Sequence, residues 1–230
     1  MTMKKFIHLL VLLNLTLSSC VHDPLYVPID DNENVIIVDD CDPNVVYFVN
    51  DVLPIINSNC AISGCHGDGS AQDDVDLSSY SSILQHLDVG DALSSDIFEA
   101  ITDSDPEDIM PPSPASPLTA QQIALIRDWI DQGATFEECT DCDLTDITYS
   151  GSVWPIIQNS CTGCHSGPDP QGSLSLTNYT EIAQIAQNGY LNGVINHLPD
   201  FVAMPYNGQQ LSICKIDIIQ DWIDQGYPNN

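Results

Sequence analysis

Val52-Leu53-Pro54-Ile55-Ile56-Asn57-Ser58-Asn59-Cys60 returns 101 residues later as Val153-Trp154-Pro155-Ile156-Ile157-Gln158-Asn159-Ser160-Cys161. Gly64-Cys65-His66 returns as Gly163-Cys164-His165, and Leu77-Ser78-Ser79-Tyr80 as Leu176-Thr177-Asn178-Tyr179, both at a distance of 99. Met110-Pro111 pairs with Met204-Pro205 at 94, and Asp128-Trp129-Ile130-Asp131-Gln132-Gly133 with Asp221-Trp222-Ile223-Asp224-Gln225-Gly226 at 93. The step from 101 to 99 falls between two cysteines, where the first copy has four intervening residues and the second has two. Order and spacing are otherwise kept, so the chain reads as one unit written twice, over 41–140 and 141–230.

Each unit reads as helical at its ends. Val45–Asn57 has a helix-like apolar distribution, with Pro54 marking a kink or boundary. Ile123, Ile126, Trp129 and Ile130 share one helical face, and Ile216, Ile219, Trp222 and Ile223 repeat it. Thr119 followed by Gln122 is a capping-box start, and Gly133 and Gly226 are natural stops. Pro106, Pro111, Pro112, Pro114 and Pro117 break the stretch between into a long irregular middle. No alternating strand pattern is visible, so the expected fold class is all-α with long irregular loops.

Residues 1–19 have the layout of an export signal. Lys4 and Lys5 precede an apolar run over Phe6–Leu17, too short to span a bilayer. Leu17-Ser18-Ser19-Cys20 closes it and resembles the lipobox of bacterial lipoproteins, which implies lipidation at Cys20. An ordinary signal peptide is the plainer alternative. Residues 20–40, with Asp30-Asp31-Asn32-Glu33-Asn34, read as an acidic, poorly ordered tether. The expected location is the bacterial envelope, with the outer membrane favoured because Val21 is not the aspartate that retains some lipoproteins in the inner one. The chain carries 33 acidic and 4 basic residues, a net charge of −29. Loss of Lys4 and Lys5 with the signal leaves 2 basic residues against 33 acidic ones, a net −31. Such a surface excludes nucleic-acid binding, which needs Lys and Arg clusters, and favours partners with a basic docking surface. Membrane contact is expected through the lipid anchor alone.

Cys161-Thr162-Gly163-Cys164-His165 fits Cys-x-x-Cys-His, the c-type haem attachment signature. Two thiols add to two vinyl groups, and the adjacent His lies under the iron. Cys60-Ala61-Ile62-Ser63-Gly64-Cys65-His66 has a wider gap, and its alignment with the second copy carries the same reading. The alternatives are structural zinc, for which each motif offers three of four ligands, or a disulfide. A redox-active dithiol would need a βαβ context that is absent. Beyond the signal the chain has two methionines, Met110 and Met204, at equivalent positions before proline. A thioether is a soft ligand that raises the potential of a haem, which makes these two the candidate sixth ligands, against core packing.

With these motifs the chain resembles class I cytochromes c in tandem: an attachment motif after a first helix, a Met-Pro loop and a closing helix with an aromatic. The resemblance implies two haem c groups (iron), one per unit, attached at Cys60 and Cys65 and at Cys161 and Cys164. It implies iron ligation by His66 and Met110 and by His165 and Met204, and burial of Trp129 and Trp222 where first and last helices meet. It also resembles exported lipoproteins that carry such domains. The Cys-x4-Cys-His motif departs from the family pattern.

His22, His86 and His197 have no counterpart between the copies and read as surface residues. Cys41, Cys139, Cys142 and Cys214 remain, and four cysteines allow three pairings. Keeping each bridge within one copy gives Cys41–Cys139 and Cys142–Cys214; free thiols are the alternative. The acidic stretches Asp73–Asp76 and Asp103–Asp108 lack calcium-loop spacing and read as solvated loops. No nucleophile pair, general acid or nucleotide loop appears. The expected function is electron transfer with redox proteins of the cell envelope, an electron carrier more than a catalyst. The alternatives are a dihaem peroxidase or other small-molecule oxidoreductase with one open haem position, and a non-redox surface module held by zinc or disulfides.

Overall fold

The computed structural model describes residues 36–38, 41–67, 69–206 and 210–230. The expected export signal, Cys20, His22 and most of the expected acidic tether lie outside the described residues. Eight α-helices and one pair of short strands occur among those described. In the first half a π-type turn, Phe48–Val52, leads into α1 (Leu53–Asn59), followed by α2 (Tyr80–Leu84), α3 (Asp96–Thr102) and α4 (Ala120–Asp131). The second half repeats this order: a π-type turn, Tyr149–Val153, then α5 (Trp154–Ser160), α6 (Tyr179–Gln187), α7 (Tyr190–Ile195) and α8 (Ile213–Asp224).

Pro54 and Pro155 stand in the first turn of α1 and α5, where a missing N–H costs no intrahelical bond. Each stands where a π-type turn passes without a break into the α-helix. Thr119 accepts from Gln122 N while the Gln122 side chain accepts from Thr119 N, the reciprocal cap expected at the start of α4. The middles are more regular than proline content suggests. Ser79 builds a second capping box that starts α2, and the Asn178 side chain accepts from Glu181 N at the start of α6. These caps let short helices form between the prolines.

One difference from an all-α expectation stands out. Ile36–Val38 (β1) pairs in parallel with Glu137–Cys139 (β2), in the register Ile36↔Glu137 and Val38↔Cys139. Three consecutive β-branched residues favour an extended conformation and outweigh the acidic context in which they sit. The end of the acidic tether is thus a strand laid against the end of the first half.

Buried apolar side chains form two clusters, one from Phe48 to Phe136 and one from Ile147 to Trp222. Trp129 and Trp222 are 1% and 0% exposed. Phe48 stacks on Trp129 with centroids 4.9 Å apart, and Tyr149 lies 5.8 Å from Trp222. The Nε1 of Trp129 donates to Thr135 O (3.0 Å) and that of Trp222 to Pro228 O (2.9 Å), so each buried indole is satisfied. Disulfides Cys41–Cys139 and Cys142–Cys214 close each half, with Cα–Cα distances of 5.8 and 5.4 Å. No helix among the described residues is long and apolar enough to cross a membrane.

Candidate functional site

Each attachment motif begins where a first helix ends. Cys60 N donates to Ile56 O (2.8 Å) and Cys161 N to Ile157 O (2.9 Å), so the first cysteine of each motif closes its helix. The chain then doubles back. His66 N donates to Cys60 O (3.2 Å) and His165 N to Cys161 O (3.0 Å). The two additional residues of the first motif are absorbed inside this loop, and both motifs close on the same carbonyl. Downstream, Leu77 N donates to His66 O and Leu176 N to His165 O, each at 2.8 Å.

The imidazoles are oriented alike. Nδ1 of His66 lies 3.0 Å from Val75 O, and Nδ1 of His165 lies 3.1 Å from Leu174 O. A carbonyl can only accept, so in each ring Nδ1 carries the proton and Nε2 keeps its lone pair. A backbone acceptor on one ring nitrogen holds the imidazole in place and leaves the other nitrogen available to a metal.

Met110 and Met204 are also delivered alike. Met110 N donates to Ala100 O in α3 (2.9 Å) and Met204 N to Val194 O in α7 (3.0 Å). Both side chains are half-buried and pack on the core of their own half. His197, read from the sequence as a surface residue, is half-buried and its Nε2 lies 3.0 Å from Met204 O. It therefore holds the Met204 loop, a role that its lack of a partner in the first copy concealed. His86 is half-buried as well.

Cys60, Cys65, Cys161 and Cys164 are free thiols, while Cys41, Cys139, Cys142 and Cys214 are bridged. Burial, reinforced by the neighbouring Cys65, pushes the Cys60 thiol up to about 12. Burial and then Cys164 push Cys161 up to about 12, against the pull of Lys215. Burial also raises Cys164. Burial thus holds Cys60, Cys161 and Cys164 in the thiol form. Among the described residues no three His, Cys, Asp or Glu side chains gather at a metal position, so the donor geometry gives zinc no support.

The residues suit a covalently held haem. Each half offers two unbridged thiols, an imidazole with Nε2 left as acceptor, and a thioether on a loop fixed by a helix carbonyl. Beside the second motif, Gln158 Oε1, Asn159 Oδ1 and Ser160 Oγ are buried without a protein partner. Stranding such atoms costs about 1–3 kcal/mol each, and the two amide oxygens can only accept, so they call for a donor such as water and not for a haem carboxylate.

No curated protein and no solved structure matches the chain. Residues 63–114, which hold Cys65, His66 and Met110, match the family model described as Planctomycete cytochrome C, and this stretch is cytochrome c-like.

Proposed function

We propose that the chain is a dihaem c-type cytochrome lipoprotein that carries electrons, with one covalently bound haem in each of two tandem cytochrome c-like domains. The carrying observation is the duplicated donor set: thiol pair, carbonyl-anchored histidine and helix-anchored methionine recur in both halves with the same hydrogen bonds. Bound haem would supply one-electron exchange between ferric and ferrous iron. Cys60 and Cys65, and Cys161 and Cys164, are the attachment thiols. His66 and His165 would offer Nε2 to the iron, and Met110 and Met204 would offer their sulfurs as its further ligands. The two donor sets are alike, which favours a carrier over a peroxidase, where one position stays open.

Cys20 is the proposed lipid anchor and the envelope the proposed location, with the acidic tether spanning between. The net charge of −29 selects redox partners with a basic docking surface by long-range attraction. A haem-stained denaturing gel with intact mass of the purified protein tests the reading. Staining with the mass of two haems is expected; an unstained chain of bare polypeptide mass overturns it.

A further inference from the structure

The second attachment motif does not stand in its own half alone. A Cβ built on Gly163 would lie 2.2 Å from Ser58 O and 2.8 Å from Asn59 Oδ1, at the end of α1 in the other half. Its counterpart Gly64 has nothing within 4 Å. The two glycines thus occupy matched motif positions for different reasons. Gly64 takes a left-handed turn (φ 86°), while Gly163 lets two backbones touch. Cys164 Sγ lies 3.9 Å from Ser58 O, and Ser58 Oγ, 2.7 Å from Pro54 O in its own helix, also lies 2.9 Å from Asn159 O in α5. On the far side of His165, Ser166 Oγ donates to Ser116 Oγ (3.1 Å), in the loop that follows Met110.

The closing helices reach across reciprocally. Gln122 in α4, 2% exposed, donates Nε2 to Gln158 O in α5 (3.1 Å). Lys215, at the matching position of α8, donates Nζ to Asn50 O in the π-type turn before α1. Burial pulls Lys215 down, and the neighbouring Asp51 and Cys161 oppose that pull. Lys215 is one of only two basic side chains beyond the signal, and it is spent on this contact.

We infer that the first half completes the second cofactor site: α1 and the loop after Met110 clamp Cys161–His165 from both sides, so that the two haem sites form one rigidly coupled pair. This rests on the dihaem reading, and Gly163 and Lys215 act as positioning residues. Two chromophores fixed close together in a chiral arrangement add to the Soret circular dichroism a two-signed couplet beyond the sum of the two haems taken singly; two independent ones add none.

The test uses the full haem-loaded chain, with haem content fixed by intact mass. The unaltered protein should show the couplet. Gly163→Ala inserts a methyl only into the partner half, since the local backbone there is not left-handed, and should abolish most of the couplet with two haems still attached. Gly64→Asn, which meets no other half and tolerates the left-handed turn, should keep it. Lys215→Met adds no bulk and should weaken the couplet, and it decides alone where Gly163→Ala fails to accumulate. Two haems by mass without a couplet, or both interface variants with full amplitude, would overturn the inference while leaving the dihaem reading intact. A chain without haem overturns both.

Discussion

The Nδ1 atoms of His66 and His165 each face a carbonyl nine residues downstream, leaving Nε2 as the free acceptor. Orientation by a backbone group, and not by a movable side chain, suits a ligand that must not change when the metal changes charge. The opposite ligand is open to test. Met204→Leu keeps the packing volume and removes the sulfur, so carbon monoxide should bind rapidly to the reduced variant while the unaltered protein resists it. Equal binding by both proteins would remove Met204 from the ligand set. His197 supports this loop through Met204 O. His197→Ala should lower stability by about 1 kcal/mol, the net worth of one hydrogen bond, in urea titration. A freely solvated histidine would change nothing beyond about 0.5 kcal/mol. The candidate attachment cysteines and histidines stand out in the sequence because the spacing of the motif marks them. His197 does not, because its role depends on how α7 and the Met204 loop meet.

The closing helices carry the largest buried side chains of each half, Trp129 and Trp222. Trp222→Ala should destabilise by roughly 3–5 kcal/mol, as for other large buried aromatics, by thermal or denaturant unfolding. Thr119→Ala, which removes the cap of α4, should cost about 1 kcal/mol. The start of α6 adds a pH dependence. Glu181 accepts from Thr177 N (2.8 Å) and Ser175 Oγ (3.0 Å), and the Thr177 backbone bond first, then the hydroxyls, holds its carboxyl below the ordinary 4.5. A depressed folded value means stability that is fully present above about 4.5 and lost as pH falls through the folded value. Glu181→Gln should flatten the fall of stability with acid in that range, read from urea midpoints; an unchanged slope would deny the carboxylate this role. Element by element, first and closing helices follow from periodicity and caps. The helices of the middle, α2, α3, α6 and α7, are hidden by proline and by their brevity, because Ser and Asn caps signal turns as readily as helix starts. The pair β1–β2 is hidden because three residues cannot display a period.

At the scale of the molecule, two cores are each closed by one disulfide and joined through the second attachment motif. Bridges across 98 and 72 residues restrict the unfolded chain most, and loss of either should cost about 2–5 kcal/mol. Replacing Cys142 and Cys214 by serine and measuring denaturant stability checks this. The repeat makes the duplication readable from sequence, but the way in which the halves meet is not. Gly163 looks like any motif glycine until Ser58 is placed against it. Lys215 looks like a surface charge until Asn50 O is found at its tip. Contacts between copies leave no period, because each is made once.

The central claim is two covalent haems on one chain. Proteolysis of the purified protein, with mass spectrometry of every haem-bearing peptide, tests it most directly. Two such peptides are predicted, one containing Cys60–His66 and one containing Cys161–His165. A single haem peptide, or four thiols recovered free at Cys60, Cys65, Cys161 and Cys164, would contradict the account.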